Sequence, residues 1–134
     1  MRSENKHIVS FWHDVPLCVL DNQGKHTGAF NFIFETPRNT KRKFIVKTKE
    51  GGNPIGQDSR LGKLREFPRN LWFNYGRFPR TWIDPGPHHP DLPKYGGNNE
   101  LLSVIEVGSR QIPHGCVRPV KVLGVLPMVD RVSH

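Results

Sequence analysis

Three kinds of side chain in this sequence could act on a charged ligand: the cations Arg38, Lys43, Lys63 and Arg65, the carboxylates Glu35, Glu100 and Asp130, and the phenol of Tyr75. Cations neutralise anionic oxygens, carboxylates gather hard divalent ions, and a phenol donates one hydrogen bond. Taken singly, each is also an ordinary solvated surface group. The chain carries 20 Lys and Arg against 12 Asp and Glu, a formal charge of +8, which favours phosphate esters, nucleic acid or anionic lipid as partners without choosing among them. His88-His89, with His114 elsewhere, offers imidazoles for zinc, but the local prolines exclude helical HxxxH spacing and no cysteine lies close by. A surface loop is the better reading there. Cys18 and Cys116 lack CxxC spacing and read as reduced thiols, Cys116 as a small hydrophobe beside the last strand.

These residues must be positioned by short strands. Phe30, Phe32 and Phe34 alternate with Asn31, Ile33 and Glu35, so the aromatics share one sheet face and Glu35 takes the other. A second run, with Phe44, Val46 and Thr48 on one face, follows the turn signal of Pro37, Asn39 and Thr40 and predicts a hairpin with the first. Gly51-Gly52-Asn53-Pro54 is a loop, and the stretch from Pro79 to Pro93 is too rich in proline for a hydrogen-bonded ladder. Leu101 to Val107 and Val117 to Val129 read as buried barrel strands, and Trp72, Phe73 and Trp82 as core. With 12 Pro and 13 Gly in 134 residues, no repeat and no linker, the expectation is one mainly β domain over 1–134, shaped as a small closed barrel. No run of 18 apolar residues predicts a membrane span, and the opening MRSENKHIVS holds no signal-peptide core.

Several separated strings, in shared order, resemble the soluble inorganic pyrophosphatases of the first family, eukaryotic branch. They are Ser10-Phe11-Trp12-His13-Asp14-Val15-Pro16, Phe34-Glu35-Thr36-Pro37-Arg38, Asn53-Pro54-Ile55-Gly56-Gln57-Asp58, Gly62-Lys63-Leu64-Arg65, Asn74-Tyr75-Gly76, Phe78-Pro79-Arg80-Thr81-Trp82 and Val120-Lys121-Val122-Leu123-Gly124. The resemblance runs from about Ser10 to Asp130. It implies an OB-like five-stranded closed barrel with a peripheral hairpin and flanking helices, and Mg2+-dependent hydrolysis of pyrophosphate to two phosphates. It also implies a cytoplasmic or mitochondrial enzyme, of which cytoplasmic is the expectation here, with a homodimer as the common assembly. By the same resemblance Lys43 and Arg65 clamp phosphate, Tyr75 donates to it, Glu100 is the candidate base and a metal ligand, Asp130 is a metal ligand, and Glu35 meets the metal through water.

The carboxylate set departs from the family pattern. Where the family reads D-x-D-P-x-D, this chain has Asn98, Glu100 and Ser103 at the three aspartate positions. Ile45 stands where the family keeps a glutamate, and Leu71 is the nearest counterpart of an active-site tyrosine. After Asp130 the family continues E-G-E-T-D-W-K, whereas this chain reads Arg131-Val132-Ser133-His134, so the C-terminal part of the family fold is expected to be missing. Opposite charges about 4 Å apart are worth about 4 kcal/mol at an effective dielectric of 20, so two lost carboxylates weaken Mg2+ binding severely. The expectation is hydrolysis far below that of a complete family member, with a non-catalytic phosphate- or pyrophosphate-binding remnant as the alternative. A nucleic-acid-binding barrel ranks last.

Overall fold

The computed structural model describes residues 9–86 and 96–128. Asp130, His88 and His89 lie outside the described residues, as does the whole proline-rich stretch from Pro87 to Pro93. Among the described residues there are nine strands and no helix: β1 (Cys18–Leu20), β2 (His26–Thr36), β3 (Phe44–Val46), β4 (Ile55–Gln57), β5 (Ser59–Arg60), β6 (Lys63–Leu64), β7 (Asn74–Arg77), β8 (Ser103–Glu106) and β9 (Val117–Val120).

The long strand β2 organises the rest. Phe30 pairs with both Cys18 and Val120, and Ile33 with both Arg77 and Val117, so β1 and β7 follow one another along one edge of β2 while β9 takes the other. β8 adds outside β7, which completes a five-stranded antiparallel sheet. The expected five strands and mainly β character are therefore present. Among the described residues no ladder joins β8 to β9 or β1, so the sheet is open.

The predicted alternation of β2 divides the core in two. Phe32 and Phe34, with Phe78 and Ile112, form one buried cluster, against which Phe30, Val120 and Cys116 pack as predicted for that small hydrophobe. Ile33, on the other face, packs with Phe11 and Val46. Between them the sheet is drawn tight at Gly76, where a Cβ would lie 1.8 Å from the Ile33 carbonyl oxygen, so only glycine fits.

Three expectations are corrected. β3 pairs with β4, not β2, and is tied to β2 through side chains: Thr36 Oγ1 accepts from the Phe44 amide at 3.1 Å, and Glu35 Oε2 from the Val46 amide at 2.5 Å. A peripheral hairpin is present as expected, in β5–β6, turned by Leu61 and Gly62 with φ of 52° and 77°. The run from Val117 is a strand only to Val120; Leu123, Val125, Leu126 and Met128 beyond it are exposed, and β8 is half exposed at the sheet edge. An apolar run reports that burial is favourable, not that a partner surface is at hand. Trp72 and Trp82 lie at the surface, 67% and 55% exposed, so they are not core residues.

Candidate functional site

On β7, Tyr75 and Arg77 are two residues apart and so project from the same side of the strand. Arg77 sits opposite Ser103 of β8, and its guanidinium reaches three oxygens: Nε donates to Glu35 Oε1 at 3.1 Å, and Nη1 to the Leu101 carbonyl at 2.9 Å and to Ser103 Oγ at 2.6 Å. The Tyr75 hydroxyl donates to the same Ser103 Oγ at 3.0 Å, and the guanidinium carbon lies 5.8 Å from the Tyr75 ring centre. Glu35 takes its place through an irregularity in the β2–β7 ladder between Phe34 and Thr36. Such bulges redirect a side chain at the cost of one ladder position.

Glu35 is wholly buried. Burial pushes its carboxyl up to about 7 from an ordinary 4.5, although the Arg77 charge and the Val46 amide both pull it down; the nearby negative charge of Glu100 adds to the rise. Both carboxylate oxygens are engaged, one by Arg77 and one by Val46.

Lys43 and Arg65 meet on Asp58, with Lys43 Nζ at 3.5 Å and Arg65 Nη1 at 3.0 Å from Oδ2. Their backbones are laced together: the Lys43 amide donates to the Arg65 carbonyl, the Arg65 amide to Asp58, and the Asp58 amide to Lys43. Phe67 connects this group to the first, since Lys43 Nζ is 5.8 Å from its ring centre and its ring meets that of Tyr75 edge-on at 5.9 Å. The structure thus brings Lys43, Arg65 and Tyr75 into one continuous group and adds Asp58, Phe67 and Arg77, which the sequence reading had given no role. Asp58 belongs to the Asn53–Asp58 string, and Arg77 follows Tyr75 by the strand period, which are the signals the sequence offers for them.

Glu100 lies apart. It lines a cleft of about 470 Å³ with Trp12, Lys49, Trp82, Asn98 and Asn99, which none of Lys43, Arg65 and Tyr75 borders. Asn74, of the Asn-Tyr-Gly string, is buried and fully used: its Nδ2 donates to Glu106 and the Arg110 carbonyl, and its Oδ1 accepts from the Arg38 and Ile112 amides. Arg38 braces the same region through the Gly108 carbonyl at 2.6 Å, which gives it a structural role.

Among the described residues the donor set does not suit Mg2+. That ion takes hard oxygens, mainly carboxylate and water, in near-octahedral order. Both Glu35 oxygens are already hydrogen-bonded, one of them to a guanidinium, Ser103 Oγ accepts from a guanidinium and a phenol, and Asn98 Oδ1 accepts from the Glu100 amide at 3.1 Å. Among the described residues no three His, Cys, Asp or Glu side chains gather into a metal site.

Residues 32–134 match the family model "Inorganic pyrophosphatase". The chain is 41% identical over 122 residues to soluble inorganic pyrophosphatase 6, chloroplastic, of Arabidopsis thaliana, covering 91% of this chain and 39% of that protein. It is 43% identical over 127 residues to the inorganic pyrophosphatase of Dictyostelium discoideum, covering 95% and 43%. Among solved structures it superposes with TM-score 0.83 and 38% identity on an N-terminally truncated vacuolar soluble pyrophosphatase of Trypanosoma cruzi in complex with PPi, covering 91% of this chain and 48% of that one. The type I inorganic pyrophosphatase of Toxoplasma gondii gives the same score and identity, covering 92% and 53%. The chain thus spans about 40% of the length of those curated relatives. Matched over most of its own residues in sequence and in fold, the chain belongs to the inorganic pyrophosphatase family.

Proposed function

We propose that this chain binds inorganic pyrophosphate or phosphate at the group formed by Lys43, Arg65 and Tyr75, and that its hydrolysis of pyrophosphate is strongly impaired or absent. The observation that carries this reading is the convergence of Lys43 and Arg65 on the Asp58 carboxylate, with Tyr75 attached through Phe67. Two cations held 3.0 to 3.5 Å from one carboxylate oxygen are already spaced to take an anionic oxygen in its place. The family match and the PPi complex of the Trypanosoma cruzi relative support pyrophosphate as the anion. Hydrolysis by the family's route would ask Glu100 to serve as base and, with Asp130, as metal ligand, and Glu35 to face metal-bound water. Glu35 is instead sealed against Arg77 and Val46, which favours binding over turnover.

Calorimetric titration of the full chain with pyrophosphate tests the reading. Binding is expected, and Lys43→Ala with Arg65→Ala is expected to weaken it about 100-fold, the size of two charge-assisted contacts. A double variant that binds like the wild type, or phosphate release in Mg2+ as fast as that of a complete relative, would contradict it.

One folding unit over residues 1–134 and a cytoplasmic location belong to the same proposal. No helix of the described residues is long and apolar enough to cross a membrane. Cell fractionation checks the location, because relatives carry chloroplastic names as well.

A further inference from the structure

We infer that the Arg77 guanidinium is a built-in cation that stands in for the divalent ion of the family site and holds the anion pocket in shape without Mg2+. This rests on the reading of Lys43, Arg65 and Tyr75 as that pocket. Around one positive charge the structure gathers a carboxylate oxygen of Glu35, the carbonyl oxygen of Leu101 and the hydroxyl oxygen of Ser103, at 2.6 to 3.1 Å. A hard metal ion also collects oxygens of these three kinds, but at shorter distances and with more carboxylates. Glu35 and Ser103 are two of the positions that the family frame assigns to the metal, the one through water and the other at the third aspartate. With Ser103 in place of that aspartate, a cation tethered to the chain needs fewer negative partners to stay in place, because its association is intramolecular and its desolvation is offset by the three oxygens it meets.

The guanidinium suits this task. Its planar donors satisfy several acceptors at fixed angles. Its side chain is only 12% exposed, so it is held as part of the interior rather than solvated. The consequence reaches the ligand through Tyr75, whose hydroxyl donates to the Ser103 oxygen that Arg77 also grips and whose ring lies beside the guanidinium. Arg77 is in this account a positioning residue. Removing it frees Ser103 to rotate, takes the cation from beside the Tyr75 ring, and leaves Glu35 buried with no counter-charge.

The test compares pyrophosphate binding by calorimetry in EDTA and in millimolar Mg2+, using the full chain. The wild type is expected to bind with affinities within about threefold of one another in the two buffers. Arg77→Met combined with Glu35→Gln, which removes the cation without stranding a buried charge, is expected to lose about tenfold or more in EDTA, while Arg77→Lys retains part of the affinity. Mn2+ alone is expected to leave the Tm of the wild type unchanged. Binding that disappears in EDTA and returns with Mg2+ would overturn the role of Arg77 yet leave the anion pocket standing, as would a folded double variant with wild-type affinity. No binding in either buffer would overturn the pocket itself. The wild-type comparison between buffers decides the matter even where the double variant does not fold.

Discussion

At the scale of single residues, the site is governed by competition for a few cations that are at most partly buried. Asp58 occupies the two cations that a phosphate would need. Asp58→Asn removes that competitor while keeping the shape, so pyrophosphate affinity is expected to rise several-fold; a fall measured by calorimetry would mean that Asp58 chiefly orients Lys43 and Arg65. Glu35 sets a pH dependence. Its folded carboxyl titrates near 7 against 4.5 unfolded, so between those values the folded state holds more proton than the unfolded one. Stability from this group is complete below about pH 4.5 and is lost as pH rises through about 7, a change on the order of 3 kcal/mol. Thermal melts at pH 5 and pH 8 should show the wild type losing Tm across that interval and Glu35→Gln losing much less.

At the scale of elements, β2 was legible because Phe30 to Glu35 alternate so regularly that register and face follow from the period alone. The packing of Phe32 and Phe34 on one side and Ile33 on the other follows that pattern. What could not be read was how neighbours attach. β3 approaches β2 through the Thr36 hydroxyl and the Glu35 carboxylate, a contact that no periodicity announces. Arg77 is not legible in the sequence for a related reason: its partners depend on the irregularity at Glu35 and on the pairing with Ser103. Arg65 and Tyr75, by contrast, stand in the family-like strings, and Lys43 is reached through the same resemblance. The β5–β6 turn carries its own prediction. Leu61 holds a φ of 52° while 94% exposed, a conformation that costs a leucine about 1 kcal/mol and suits asparagine far better. Leu61→Asn is expected to stabilise the chain by about 0.5 to 1 kcal/mol in urea unfolding, with pyrophosphate binding unchanged.

At the scale of the whole molecule, three features belong together: an open sheet, a half-exposed edge strand β8, and an uncovered apolar segment from Val122 to Met128. The sequence shows that this segment is apolar, and among the described residues Leu123, Val125, Leu126 and Met128 stay exposed. Contiguous exposed apolar side chains favour association. Light scattering across a concentration series is expected to show self-association of the wild type that Leu123→Lys with Val125→Lys reduces. Scattering independent of both concentration and substitution would show that this segment is covered in solution.

The claim on which the account turns is that fixed cations have replaced bound metal at this site. Crystals of the chain grown with pyrophosphate and Mn2+, with anomalous data collected for the metal, address it most directly. The account predicts pyrophosphate in contact with Lys43, Arg65 and Tyr75, and the Arg77 guanidinium still seated between Glu35 and Ser103 with no ion there. Two or more fully occupied Mn2+ ions beside Glu100 and Glu35, with Arg77 displaced, would contradict it.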